Sequence, residues 1–186
     1  MREDQSGRSR PVILTFVAYY LPGYKSGGPI RTISNLVHHL GVEYQFSIVT
    51  SDRDASETNP YQNIKIDQWN TIGNANVYYA SPQSLTFFRI IHLMRQTDFD
   101  ILYLNSFFNC KFTFYPLFAS WLNLVPQRPL ILAPRGELSK GALGLKAFKK
   151  NMFIRISKWL GIYKNIHWQA RSEEHTSELQ SLLIIS

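Results

Sequence analysis

An α/β fold, built on a parallel sheet with helices on both faces, is predicted by three features of the sequence. Short β-branched and aromatic runs alternate with longer segments of helical apolar spacing, and right-handed crossovers would join them. Several of those runs are apolar throughout instead of alternating, as strands covered on both faces are. The first strand-to-helix connection also carries two adjacent glycines, Gly27 and Gly28, immediately before Pro29.

Each element follows in turn. Residues 12–18 form the first buried strand. Residues 30–40 form a helix, because Ile30, Ile33, Val37 and Leu40 recur at helical spacing and Leu36 widens the stripe. Pro29 suits the first turn, where a missing N–H costs nothing. Residues 46–50 are the second strand, ending in Ser51-Asp52-Arg53-Asp54. A polar loop over 56–63 leads to two short strands expected at 64–66 and 76–79. Residues 85–94 read as a helix and 101–104 as a strong buried strand. A turn, Asn105 to Phe108, precedes a helix near 113–122. Residues 130–133 are a strand ending in the run PRGELS. A long amphipathic helix over 146–160 and a last strand over 166–169 complete the pattern.

The chain has 186 residues, enough for one domain with a full core. Hydrophobic content of 45% and aromatic content of 14% belong to a globular chain, not a disordered one. No apolar run approaches the roughly twenty residues a bilayer-spanning helix needs. Residues 1–10 lack the apolar centre of a secretion signal and read as a disordered polar extension. The single cysteine, Cys110, excludes an internal disulfide and offers no metal cluster, and cytoplasmic location is the default. His38 and His39 lack partner ligands, so no metal site is expected.

Net charge of +7 suggests a polyanionic partner: nucleic acid, anionic headgroups or phosphorylated sugars. No zinc-finger, RNP or helix-turn-helix pattern accompanies it, and nucleic acid is not expected.

In an open parallel sheet, ligands bind beyond the carboxyl ends of the strands. Residues 24–28, 52–54, 105–108 and 134–139 would all gather there. Gly27 and Gly28 let backbone amides approach an anion at a helix N-terminus. The G-G-P spacing, with Tyr19 to Ser26 intervening after the strand, departs from the dinucleotide fingerprint. Arg135 would grip phosphate or carboxylate, or pair with Glu137. Gly136 would allow a tight turn. Asn105 and Ser106 would hydrogen-bond hydroxyl groups. Asp52 and Asp54 stand at about the distance from the glycines where nicotinamide enzymes bind ribose, but loop capping is the preferred reading. Lys149, Lys150, Arg155 and Lys158 lie off the apolar face of the 146–160 helix. That basic face would be solvated, with contact to an anionic membrane surface compatible with it.

With these residues in view, the chain over about 11–170 resembles the N-terminal, acceptor-side domain of retaining GT-B glycosyltransferases of the family 4 type. Those proteins carry a P-x-x-GG-h-x-x-x-h-x-x-L pattern here, and Pro22, Gly27, Gly28, Ile30 and Leu36 follow its sense. The likeness continues through IVTSDRD, DFDILYLNSFF and LILAPRGELSKGAL. The resemblance implies a Rossmann-like domain, and a C-terminal donor-binding domain not contained in this chain. It implies sugar transfer, with retention, from a nucleotide sugar to a saccharide or lipid-linked acceptor in cell-surface polysaccharide synthesis. It further implies that Gly27, Gly28, Arg135 and Gly136 face the donor's diphosphate. Tyr24, Lys25, Ser26, Asn105, Ser106 and Glu137 would face the acceptor. No metal or cofactor is implied beyond the nucleotide sugar, and location is cytoplasmic with peripheral contact at the inner face of the membrane. Many relatives resemble D-h-h-H-x-H where this chain has Asn105, so no histidine base and no catalytic residue is assigned. This segment alone is expected to be inactive; the alternative reading is a non-catalytic Rossmann-like module that binds an anionic ligand or membrane surface.

Residues 171–186 stand apart. The string RSEEHTSELQS resembles a translated sequencing-library adapter, and the native protein is expected to depart from this sequence near Ala170. Without that tail the balance is 19 basic against 10 acidic residues, a net charge of +9.

Overall fold

The computed structural model describes residues 10–135, 137, 155, 161–163 and 166–169. In chain order its strands are β1 (Val12–Phe16), β2 (Gln45–Ser51), β3 (Trp69–Ile72), β4 (Ala75–Ala80), β5 (Ile101–Leu104), β6 (Leu130–Leu132) and β7 (Ile166–Trp168). Its helices are α1 (Gly28–Leu40), α2 (Phe87–Gln96) and α3 (Tyr115–Trp121), the last entered through a π-helical turn, Cys110–Phe114. The strands form one sheet in the order β3-β4-β2-β1-β5-β6-β7, parallel except for the antiparallel β3. The expected α/β class and Rossmann-like parallel sheet are therefore present.

β1 lies at the centre because every residue of it is buried. Val12, Leu14 and Phe16 enter one core cluster with Ile90, Met94 and Leu117. Ile13 and Val17 enter the other with Ile33 and Val37 of α1. Each such side chain contributes about 1.5–3 kcal/mol when fully buried. The two clusters require helices on both faces. The β1-to-β2 and β4-to-β5 connections cross the sheet in opposite directions, so right-handed crossovers set α1 against one face and α2 against the other. The direction of winding reverses between β1 and β5, which opens a crevice at their carboxyl ends.

The middle of the chain departs from expectation. Residues 64–66 lie in an irregular stretch of bends and turns, not a strand, and the edge strand is β3. Asn70 holds those turns: its Oδ1 accepts from the Lys65 amide at 2.9 Å, and its Nδ2 donates to the Lys65 and Gln68 carbonyls at 2.8 and 2.9 Å. β3 pairs back on β4 through the two-residue loop Gly73-Asn74, with Ile72 opposite Ala75. Gly73 takes φ +56 while Asn74 stays out of the positive region, the pattern of a type II′ hairpin. The helix expected near 113–122 starts earlier, as the π-helical turn, because Asn109 caps it. Asn109 Oδ1 accepts from the Lys111 and Phe112 amides at 3.1 and 3.0 Å. The expected helix over 146–160, the polar extension and the tail lie outside the described residues, apart from Arg10 and Arg155, which are exposed.

Candidate functional site at the carboxyl edge of the sheet

The loop after β1 is folded by its own backbone and by a carboxylate from the next strand. The Gly23 amide donates to the Tyr20 carbonyl at 2.9 Å, and the Gly27 amide to the Tyr24 carbonyl at 3.1 Å. Asp54, 6% exposed beyond the end of β2, accepts from the amides of Tyr24 at 2.9 Å, Lys25 at 3.2 Å and Ala55 at 2.8 Å. Burial works to raise the Asp54 carboxyl, but the Tyr24, Ala55 and Lys25 amides outweigh it and hold the group below the ordinary carboxylate range. Loop capping is thus the observed role of Asp54. Asp52 is fully buried and receives Arg53 through a two-point contact, Nε to Oδ1 at 2.7 Å and Nη2 to Oδ2 at 3.0 Å.

Three glycines serve this loop differently. A Cβ on Gly23 would stand 2.2 Å from the Tyr61 hydroxyl and 3.0 Å from Asp54 Oδ1, so close packing demands glycine there. Gly27 adopts φ +43 and ψ −92, a backbone state closed to most side chains. Gly28 has neither constraint. Its φ lies outside the left-handed region, and a Cβ there would meet nothing within 4 Å. The backbone at the start of α1 is therefore open to an approaching ligand. Tyr24 is 77% exposed, Ser26 half-buried, and Lys25 forms an ion pair with Glu57.

Across the crevice, β5 and β6 end in a second cluster. Arg135 Nε donates to Asn105 Oδ1 at 2.5 Å, and Arg135 Nη2 donates to the Tyr103 hydroxyl. That hydroxyl donates in turn to Gln169 Oε1 at 2.6 Å, which joins β5, β6 and the end of β7. Burial pushes the Tyr103 phenol upward, and the Arg135 charge opposes it. Arg135 sits at φ +55, a left-handed conformation that costs a non-glycine residue about 1 kcal/mol or more.

Asn105 is 3% exposed. Arg135 fixes its amide orientation, because a flipped amide would set donor against donor. Among the described residues, its Nδ2 is then buried without a hydrogen-bond acceptor. An orphaned buried donor costs about 1–3 kcal/mol.

Glu137 stands under the same loop. Its Oε1 accepts from Ser106 Oγ at 2.9 Å, and its Oε2 from the Phe107 and Phe108 amides at 2.7 and 2.9 Å. The structure thus joins Asn105 to Arg135, and Ser106 to Glu137, as two adjacent pairs. Gly136, Lys149, Lys150 and Lys158 lie outside the described residues. His38 and His39 are exposed in the last turn of α1. Among the described residues, no three His, Cys, Asp or Glu side chains gather as a metal site requires. No described helix is long and apolar enough to cross a membrane.

Sequence reasoning did not select Tyr103, Gln169 or Gly23. A phenol inside the apolar run ILYL was the available signal for Tyr103, since a buried tyrosine needs a partner for its hydroxyl. No family model matches the chain, and no curated protein does.

Proposed function

We propose that this chain is the acceptor-side domain of a retaining glycosyltransferase, acting with a nucleotide sugar and a saccharide or lipid-linked acceptor. The observation that carries the reading is the open backbone at Gly27-Gly28, on a loop that flanks the same crevice as the Asn105–Arg135 pair. The first suits an anionic oxygen at a helix N-terminus, and the second suits a hydroxyl. The sequence resemblance over 11–170 supplies the reaction class.

In this reading the Gly28 amide and the Arg135 guanidinium stabilise charge on the departing diphosphate, as prearranged donors do wherever negative charge develops. Asn105 orients an acceptor hydroxyl through Nδ2. Glu137 positions the loop that carries Asn105 and does not touch the sugar. Asp54 does the same for the glycine loop. A nicotinamide reading is weaker, because Asp52 and Asp54 are already engaged by Arg53 and by backbone amides.

The test is turnover of uridine and guanosine diphosphate sugars by the protein expressed from the native locus, read past the codon for Ala170. Sugar transfer is expected, with Arg135→Ala and Asn105→Ala each lowering kcat/KM by about 100-fold, the scale of one lost transition-state donor. A locus product that binds nicotinamide dinucleotides tightly and turns over no sugar nucleotide would overturn the reading.

A further inference from the structure

The Arg135 guanidinium is held at two points along one edge. Its Nε donates to Asn105 Oδ1 at 2.5 Å, and its Nη2 to the Tyr103 hydroxyl. Nε and Nη2 stand side by side in the planar group, so these two acceptors fix both the place of the fork and its plane. Strand geometry explains why the acceptors stand together. Asn105 continues the β5 ladder, its backbone amide donating to the Phe16 carbonyl at 3.2 Å. Tyr103 and Asn105, two residues apart, therefore face one side of the sheet, where Tyr103 joins the core cluster of the α1 face.

The phenol does more than satisfy itself. A buried tyrosine hydroxyl needs one partner. Tyr103, 6% exposed, has two: its proton goes to Gln169 Oε1 at 2.6 Å, which leaves its oxygen to accept from Arg135. Direction matters here, because a hydroxyl has a single proton and a guanidinium can only donate. Gln169 takes that proton from beyond β6. It follows β7, and its backbone amide donates to the Leu132 carbonyl at 3.0 Å. Burial raises the phenol above its ordinary range, so it stays protonated at neutral pH and keeps this direction. Arg135 itself stands at φ +55, and a backbone of that kind persists where several contacts over-determine it.

We propose that Tyr103 is a positioning residue: its hydroxyl, oriented by Gln169, aims the Arg135 guanidinium into the crevice before an anion arrives. The inference rests on the reading of Arg135 as a group that meets the donor's diphosphate. A long side chain that is already ordered loses less freedom on binding than one that must be caught from solution. Tyr103 touches no substrate and acts through Arg135 alone.

The test is calorimetric titration of the whole chain with inorganic pyrophosphate, for the parent, Tyr103→Phe, Arg135→Ala and the double variant. Tyr103→Phe should weaken binding about tenfold, the scale of one hydrogen bond to a charged group. Arg135→Ala should weaken it more, and Tyr103→Phe should then add nothing, because a group acting through another is silent once that other is gone. A phenol with a merely structural role would cost the same in both backgrounds. Gln169→Leu, at an exposed position, should lose about threefold with the thermal midpoint in place. A further readout needs no ligand: exchange of the Arg135 Nε proton, followed by NMR, should speed up in Tyr103→Phe. Two results overturn the proposal while leaving Arg135 its role. Tyr103→Phe binds pyrophosphate as the parent does, or it weakens binding equally with and without Arg135. Failure of the underlying reading looks different: the parent and Arg135→Ala would bind pyrophosphate alike, and the proposal would fall with it.

Discussion

The two loops that flank the crevice are braced alike and equipped differently. On one side Asp54, beyond β2, accepts three backbone amides and so holds the loop after β1. On the other side Glu137, beyond β6, accepts two backbone amides and the Ser106 hydroxyl, and so holds the loop after β5. Each carboxylate comes from the strand next to the loop it fixes, on opposite sides of the winding reversal. The loop held by Asp54 offers bare backbone to the crevice, whereas the loop held by Glu137 offers Asn105 tied to Arg135. Carboxylates at a strand's carboxyl edge are commonly suspected of chemistry. Here both are engaged in holding loops.

The largest effect is expected at Asp54. Asp54→Ala leaves three amides without their acceptor in a buried place, and should cost about 3 kcal/mol of stability. Urea unfolding with an unchanged slope would show it. The pH dependence follows from the lowered carboxyl. The folded group holds its proton less tightly than the unfolded one, so its contribution is fully present above the unfolded range, about pH 4, and is lost as pH falls through the lower folded value. Asp54→Asn should flatten the acid limb of the stability profile. A variant that keeps the parent's acid limb would remove Asp54 from this role.

Gly23→Ala comes next. The added methyl would overlap the Tyr61 hydroxyl and crowd the Tyr20 carbonyl, at an expected cost of about 2 kcal/mol. Glu137→Ala should cost somewhat less, about 1–2 kcal/mol, because Glu137 is half-buried and water can replace part of what it accepts. Its signature is local: faster amide exchange at Phe107 and Phe108, with the amides of Tyr24 and Lys25 unchanged. If both sets of amides loosened together, the two braces would be one cooperative unit instead of two.

Much of this was legible in the sequence, for a physical reason. The strands β1, β2, β5 and β6 are largely buried on both faces, and such burial writes itself as largely apolar runs, broken in β1 and β2 only by small residues such as Thr15, Ser47 and Thr50. β3 escaped because an edge strand with alternating exposure, Trp69 to Ile72, carries little apolar signal. The Gly73-Asn74 dipeptide was the readable clue to its hairpin. In the site, the four converging segments were readable from topology alone. The partners were not. Whether Arg135 would meet Glu137 or Asn105 depends on its left-handed backbone, and no local pattern announces that conformation in an arginine. Tyr103 and Gln169 are 66 residues apart, and only the folded sheet brings them together.

The smallest effect sharpens the comparison most. Gly28 is the one glycine of its loop that neither packing nor backbone geometry requires. Gly28→Ala should therefore stabilise the fold slightly, by about 0.5 kcal/mol, since alanine loses less backbone freedom on entering a helix. The same methyl occupies the open space through which an oxygen would reach the backbone. Nucleotide-sugar turnover by the native locus product should fall as stability rises, and further with Gly28→Val. Opposite movement of the two quantities would mean that glycine is kept there for a ligand, at a cost to the fold. If both rose together or turnover held steady, Gly28 would merely start α1, and the work of binding would rest on the Asn105 side alone.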